Sequence, residues 1–275
     1  MRSGSTARRL PNAPLVEVVF EMRWALQGAP GLPSVFHADP GFLQTQEAFT
    51  AKAAKMGFAS RRDMQPGPEL PGGYTISRRF YRAADHEFPL LQIGPGIYAA
   101  NQSTDYEWPS FRKQVLQGLR AVLDSYPDLP SFPMRPVHLE LRYVDAFDEA
   151  LAGTSDLLQF LNAATHISLT LPNFVNSSQI FRSAIGGRIM LSRPLKARKQ
   201  SVFALDIGSG SRQEAKIIRL ESKIVTREGG VPKLTTAAPF LREVKKWLQF
   251  ANGITSPFFR ELIRSEVMAK FQGQV

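Results

Sequence analysis

The feature that most constrains the fold is a half-buried strand pattern that occurs twice. In residues 15–24 and again in residues 137–143, apolar and polar side chains alternate along the chain. Because successive side chains of a strand point to opposite faces, each segment has one apolar face for a core and one polar face. The polar positions are Glu17, Glu21, Arg23, His138, Glu140 and Arg142. The pattern is typical of an antiparallel sheet covered on one side. On the other side Arg23 could pair with Glu21, or the charged face could simply be solvated or paired across strands.

Each of these strands is followed by a similar order of predicted elements. Apolar residues spaced by three and four predict helices, and short alternating runs between glycine- and proline-rich turns predict strands. The predicted strands are 15–24, 74–82, 88–93, 96–101, 137–143, 179–185, 187–193, 200–207 and 215–226. The predicted helices are 42–56, 108–122 behind a capping box at Thr104 and Glu107, 157–164, 239–251 ending at Asn252-Gly253, and 256–267 starting at Ser256-Pro257. Residues 194–199 and 208–212 are predicted turns.

These elements predict an α+β protein made of two similar halves, residues 13–130 and 131–275, packed as one unit. Neither half alone could cover the apolar face of its sheet, whereas two halves side by side could. We expect two β-α-β(3-4)-α repeats that form a curved antiparallel sheet with long helices on one face, as in TATA-binding-protein-like folds. A helix-grip fold, in which a curved sheet wraps one long helix, is the alternative. Residues 1–12 are expected to form a flexible tail.

The composition excludes several kinds of chemistry. The chain has 275 residues and no cysteine, which excludes disulfides, thiolate catalysis and cysteine-ligated zinc. No window approaches the roughly 18 consecutive apolar residues of a membrane span. Arg8 and Arg9 are not followed by the apolar stretch that an export signal needs. We therefore expect a cytoplasmic protein with no membrane partner.

No group of residues has the spacing of a catalytic or metal site. The histidines are not spaced as metal ligands on a helix. Glu17 and Glu21 should lie about 13 Å apart on one strand face, too far for a catalytic carboxylate pair. Gly208 to Ser211 is glycine-rich, but it precedes a strand rather than a helix, which predicts a hairpin turn and not a phosphate loop. The sequence predicts no catalytic residue, no metal and no cofactor.

Positive charge is concentrated in one part of the chain. The formal net charge is +10, and residues 188–227 hold ten Lys or Arg against three Asp or Glu. Such a field attracts nucleic acid or an acidic protein partner, although a solvated surface of the same composition needs no partner. The candidate binding residues are Arg78, Arg79 and Arg82 on one strand, Arg193, Lys196, Arg198 and Lys199 in one turn, and Lys216, Arg219 and Lys223 on another strand. On the first strand an exposed Phe80 or Tyr81 could add base stacking.

Three segments resemble an uncharacterised, sporadically distributed bacterial family of proteins of about this length. They are residues 11–23 (PNAPLVEVVFEMR), with a Pro-Leu-x-Glu-hydrophobic strand motif, residues 141–147, and residues 247–259. The family shows a Tyr-hydrophobic-Asn pattern after the middle strand, where this chain has Tyr143-Val144-Asp145. The resemblance implies a fold but no mechanism, because the family has no accepted catalytic residues.

Three functions remain open from the sequence. The first is a non-catalytic binding or regulatory protein that acts through a protein partner, such as the product of a neighbouring gene in its operon. The second is sequence-independent nucleic-acid binding through the basic surface, which would weaken steeply with salt. The third is a small-ligand binder or enzyme with a cavity between sheet and helix. A pocket that gathers Tyr143, His138 and Glu140 would favour this function, and a solid core there would count against it. Self-association is left open.

Overall fold

The computed structural model describes residues 13–28, 38–65, 69–103, 105–171, 186–212 and 214–273. The strands are β1 (Leu15–Trp24), β2 (Ser60–Asp63), β3 (Arg78–Tyr81), β4 (Leu90–Gly94), β5 (Ile97–Gln102), β6 (Pro136–Phe147), β7 (Arg188–Pro194), β8 (Ser201–Arg212) and β9 (Ala215–Arg227). The helices are α1 (Phe42–Lys55), α2 (Trp108–Leu123), α3 (Glu149–Ala152), α4 (Leu157–Ala164), α5 (Ala237–Leu262) and α6 (Ser265–Phe271). The predicted α+β class is confirmed.

All the strands named above form one antiparallel sheet. Its order is β2-β3-β4-β5-β1-β6-β9-β8-β7, so the two strands with the clearest alternation, β1 and β6, are neighbours at its centre. The predicted tail at residues 1–12 and the predicted strand at 179–185 lie outside the described residues. Strand β2 was not predicted, because its four residues, Ser-Arg-Arg-Asp, show no apolar alternation.

The core lies between the helices and one face of the sheet. Phe20 of β1 packs edge-on against Trp247 of α5, with ring centroids 6.1 Å apart, in a cluster that also joins α1 and α2. A second cluster lies under α3, α4, α6 and the end of α5, where Phe147 of β6 meets Phe160 at 4.9 Å. The opposite face of the sheet carries the polar positions of β1 and β6, as their alternation predicts.

Asp39, just before α1, forms hydrogen bonds with three other segments of the fold. Its carboxylate is buried and accepts hydrogen bonds from Trp24 Nε1 at 2.9 Å, Tyr126 Oη at 2.8 Å and the backbone nitrogens of Gly96 and Gly41 at 3.0 and 3.1 Å. These bonds connect β1, the turn before β5 and the end of α2 to the start of α1. The buried carboxylate is therefore fully hydrogen-bonded and stabilises the packing of these segments.

Two predicted chain breaks are wrong. Helix α5 continues from Ala237 to Leu262, although Asn252-Gly253 was expected to end it. Its buried stripe runs through Trp247, Ala251 and Thr255 to Leu262, and this packing outweighs the hydrogen bond that Pro257 cannot donate. Strand β8 likewise continues through the expected turn at 208–212, because its whole length pairs with β9 as far as Arg212 and Ala215.

Candidate functional site

Arg78, a candidate binding residue on β3, is part of the fold. Its side chain is buried, with Nε 2.8 Å from Asp63 on β2 and Nη1 2.9 Å from Glu47 on α1. Nη1 also donates to the hydroxyl of Thr50 at 3.1 Å. Since carboxylates on β2 and α1 compensate its charge, this guanidinium connects α1 to the sheet.

The other candidates, Arg79 on β3 and Arg82 just after it, have different surroundings. Arg79 Nε donates to Gln92 Oε1 at 3.0 Å, and the guanidinium of Arg82 lies 5.5 Å from the centre of the Phe58 ring. Phe80 is buried in the core, so it offers no ring for base stacking. Tyr81 is also buried, and Arg62 lies over its ring at 5.5 Å. An exposed aromatic platform for single-stranded nucleic acid is therefore not formed on this strand.

The basic residues of β9 lie around a buried carboxylate. Glu221 accepts from Lys223 Nζ at 2.8 Å and also binds Arg219. Next to it, Arg188 of β7 binds Asp206 of β8, and this hydrogen bond lowers the pKa of the Asp206 carboxyl. Arg188, Arg219 and Lys223 are thus neutralised by neighbouring carboxylates. Arg212, Lys216 and Arg227 are exposed and make no ion pair in the described part of the chain.

The end of β7 and the turn between β7 and β8 keep their positive charge. Arg193, Lys196 and Lys199 are exposed and form no ion pair with any described residue. Arg198 instead lies over the ring of Phe250 of α5, 5.0 Å from its centre. This contact holds the turn against the side of α5. We refer to residues 193–199 as the basic turn.

The polar face of the central strands carries a network of charged side chains. Arg23 pairs with Glu21, with Nε and Oε1 2.5 Å apart. Glu140 lies directly opposite Glu21, and His138 Nε2 is 3.6 Å from Glu140 and 3.8 Å from Glu21. Burial raises the pKa of Glu140, but His138, Arg142 and Lys223 outweigh it, so this pKa lies below its ordinary value.

The structure does not bring Tyr143, His138 and Glu140 together in one pocket. Strand alternation puts Tyr143 on the helix side of β6, where its hydroxyl donates to Asn252 Oδ1 of α5 and contacts the Tyr106 hydroxyl, both at 2.8 Å. His138 and Glu140 lie on the opposite face of the sheet. Among the described residues, no three His, Cys, Asp or Glu side chains gather as metal ligands would.

A basic groove lies on the outer surface of the helical layer. It follows α2, has α1 and α5 as walls, is largely open to solvent, and has a volume of about 520 Å³. Its α2 residues recur every three or four positions: Pro109, Arg112, Lys113, Leu116, Gln117, Arg120, Ala121 and Asp124. This stripe is about 22 Å long at 1.5 Å per residue. Lys52 and Met56 contribute from α1 and the residue after it, and Lys245 from α5. We call this surface the α2 groove.

The cations of the α2 groove divide into two kinds. Lys52 Nζ donates to the Asp124 carbonyl at 2.5 Å, and Arg120 Nε lies 2.7 Å from the Asp124 carboxylate, so both stabilise the C-terminal end of α2. Arg112, Lys113 and Lys245 have no ion pair or hydrogen bond with the described residues. These three side chains are available to an anionic partner.

The floor of the α2 groove is apolar. Met56, Pro109, Leu116 and Ala121 line it, and no aromatic side chain is among the lining residues. A long groove with an apolar floor and free cations at its edges is complementary to an amphipathic helix with acidic residues beside its apolar face. It lacks the rings on which nucleic-acid bases stack.

The sequence predicted the buried side of α2 but not the α2 groove. The 3–4 spacing of Phe111, Val115 and Leu119 correctly predicted the buried side of α2. The opposite side, with Arg112 and Lys113, then follows as the solvent side. The sequence did not show that α1 and α5 flank that side, because this depends on contacts between helices that are distant from one another in the chain.

No helix in the described part of the chain has the length and apolar character needed to span a bilayer. Comparisons with protein-family models, with curated proteins and with solved structures find no match for this chain. Any function assigned to the chain therefore rests on the geometry and charge of its own residues.

Proposed function

We propose that this chain is a non-catalytic binding protein whose α2 groove holds an acidic amphipathic helix of a protein partner. The observation that carries the proposal is the set of free cations, Arg112, Lys113 and Lys245, above an apolar floor. Burial of the partner's apolar side chains supplies affinity, and its carboxylates meet the cations at the rim.

The dimensions of the groove support a helix as the occupant. A partner helix of about four turns, or about 15 residues, matches the stripe of about 22 Å along α2. Packed helices lie about 8–10 Å apart, so a helix over α2 would contact α1 on one side and α5 on the other. A groove open along its length accepts such an element more readily than a small molecule, which needs enclosure.

A second candidate function is supported by the basic turn. Arg193, Lys196 and Lys199 project without carboxylate neighbours among the described residues, as expected for contacts to a phosphate backbone. Such contacts would be independent of sequence and sensitive to salt. The basic turn and the α2 groove lie on opposite sides of α5, since Lys245 and Phe250 point about 140° apart around the helix axis.

The strand order also supports the proposal that the two halves are structural repeats. Strands β1 and β6 lie side by side, and each is flanked by the last strand of its own half, β5 and β9. The helix-grip alternative has less support, because α1 and α2 share the covered face of the sheet with α5.

The proposal is tested by measuring peptide affinity with two charge-reversal variants. The probe is a fluorescein-labelled acidic amphipathic helix of about 16 residues, titrated at about 50 and about 200 mM salt. The groove variant is Arg112→Glu, Lys113→Glu, Lys245→Glu. Its matched control is the turn variant Arg193→Glu, Lys196→Glu, Lys199→Glu, which changes the net charge by the same amount.

We expect the groove variant to weaken peptide binding at least tenfold and the turn variant to leave it within about twofold, because only the first removes the contacting cations. A generic single-stranded DNA should show the reverse order if the basic turn binds phosphate. Equal losses in both variants would show attraction by net charge alone. Absence of peptide binding at low salt would refute the proposal.

A further inference from the structure

A second cavity lies on the sheet face opposite the helices. It encloses about 540 Å³ above β3, β4, β5 and the start of β1, a volume within the range of small-ligand sites. Its lining is mostly polar and includes Glu17, Arg79, Gln92 and Asn101. We call it the sheet pocket. It lies on the opposite side of the molecule from the α2 groove, so its use is independent of that surface.

A directed row of hydrogen bonds forms the floor of the sheet pocket. Arg79 Nε donates to Gln92 Oε1 at 3.0 Å, and Gln92 Nε2 donates to Asn101 Oδ1 at 2.9 Å. Asn101 Nδ2 then donates to Glu17 Oε1 at 2.6 Å. Since every bond runs in the same direction, both amides are fixed in orientation.

The two ends of this row have opposite character. At one end, the terminal nitrogens of Arg79 have no hydrogen bond in the described part of the chain. At the other end, the second carboxylate oxygen of Glu17 has none with any described residue either. Gln92 and Asn101 are buried between them, so the charges are separated by an ordered, neutral floor. The pocket therefore presents donors at one end and an acceptor at the other.

The charge balance of the sheet pocket argues against a polyanion. Arg62 and Arg79 are offset by Glu17, Asp85 and Glu87, and His86 lies against Asp85 at 3.2 Å. A phosphate-rich ligand would meet three carboxylates in this pocket, which is unfavourable. A ligand with one negative and one positive end matches the separated charges.

The spacing of the ends sets the length of that ligand. Arg79 on β3 and Glu17 on β1 are three strand spacings apart, about 14 Å between backbones. The row of hydrogen-bonded side chains brings the free donors and the free carboxylate to on the order of 10 Å from each other. An extended peptide covers about 3.3–3.6 Å per residue, so about three residues span this distance.

We propose that the sheet pocket binds a short zwitterionic peptide of about three residues. Its carboxylate lies at Arg79, which can bind both carboxylate oxygens, and its ammonium lies at Glu17. Arg62, stacked over Tyr81 at 5.5 Å, adds a second cation beside the carboxylate end. The peptide backbone lies over Gln92 and Asn101, whose remaining amide protons face its carbonyls.

Calorimetric titration with trialanine tests the proposal. The matched probes are N-acetyl-trialanine, which lacks the ammonium, and trialanine amide, which lacks the carboxylate. We expect the unmodified peptide to bind at submillimolar concentration and each blocked form to bind at least tenfold more weakly. Absence of binding at millimolar trialanine, or a blocked form that binds as tightly as unmodified trialanine, would overturn the proposal.

Substitutions of Glu17 and Arg79 test which end of the peptide each residue binds. Glu17→Gln should remove the preference for a free ammonium, and Arg79→Gln the preference for a free carboxylate, each with at least a tenfold loss of affinity. Arg82→Gln, just after β3 but outside the pocket lining, is the control and should bind as the unmodified protein does. A loss of the same size for Arg82→Gln would count against the site, and the blocked peptides remain decisive if a variant fails to fold.

Discussion

Asp145 is a carboxyl group buried in the protein interior without a charge partner among the described residues. It lies on the helix side of β6 between Tyr143 and Phe147, and its strand neighbours in register are Leu15 and Leu220. Burial raises the pKa of Asp145 from 3.8 to about 7. We predict that Asp145→Asn, which keeps the size but cannot ionise, will stabilise the protein at alkaline pH and change little at acid pH.

The sign and size of this stability change follow from the linkage between proton binding and folding. Below about pH 4 the carboxyl is neutral in both the folded and the unfolded chain, so the variant and the parent should have similar free energies of unfolding. Between about pH 4 and pH 7 the unfolded chain ionises while folded Asp145 keeps its proton, which lowers the stability of the parent. At about 1.4 kcal/mol for each pH unit, the loss reaches about 4 kcal/mol above pH 7.

Urea unfolding followed by tryptophan fluorescence from about pH 4 to about pH 8 measures this difference, because Trp24 and Trp247 are both buried. The stability gained by Asp145→Asn should grow from near zero at about pH 4 to between about 2 and 4 kcal/mol at about pH 8. Asp206→Asn is the control of opposite sign, since Arg188 lowers the pKa of Asp206 and its stabilisation is lost as pH falls. Parallel pH profiles for Asp145→Asn and the parent would refute the reasoning.

Three further predictions concern the fold, each measured as the free energy of unfolding. Asp39→Ala should cost about 3–5 kcal/mol, because it leaves buried donors without an acceptor. Tyr143→Phe should cost about 1–3 kcal/mol, because Asn252 Oδ1 loses its donor. Gly118→Ala should destabilise by about 1–3 kcal/mol despite the better helix propensity of alanine, since its Cβ would lie 2.8 Å from Cζ of buried Tyr98.

A surface substitution provides the reference free energy of unfolding for these three variants. Leu43 of α1 is 75% exposed, so Leu43→Ala should change stability by less than about 0.5 kcal/mol. Losses in the three variants no larger than this reference would contradict the assigned contacts.

The parts of the fold that depend on local pattern were predictable. Alternation predicted β1 and β6, and the 3–4 spacing of Phe111, Val115 and Leu119 predicted α2. Where local signals conflicted with tertiary packing, packing prevailed. Helix α5 passes through Asn252-Gly253 because the Asn252 side chain accepts from Tyr143 and the buried stripe continues beyond it.

The parts that depend on long-range contacts were not predictable. The sequence shows that Arg78 is a cation, but not that Asp63 and Glu47 neutralise it. It shows that Arg112 and Lys113 face solvent, but not that Lys245 lies beside them. The net charge of +10 therefore points to a binding surface only when the cations that form ion pairs are distinguished from those that do not.

Hydrogen exchange on the complex with the acidic helical peptide tests the use of the α2 groove most directly, because it locates the bound surface without any substitution. We expect slower amide exchange in α2 (Trp108–Leu123) and in the facing turns of α1 and α5 when the peptide is bound. Protection confined to residues 193–199, or to the polar face of the sheet, would contradict binding in the groove.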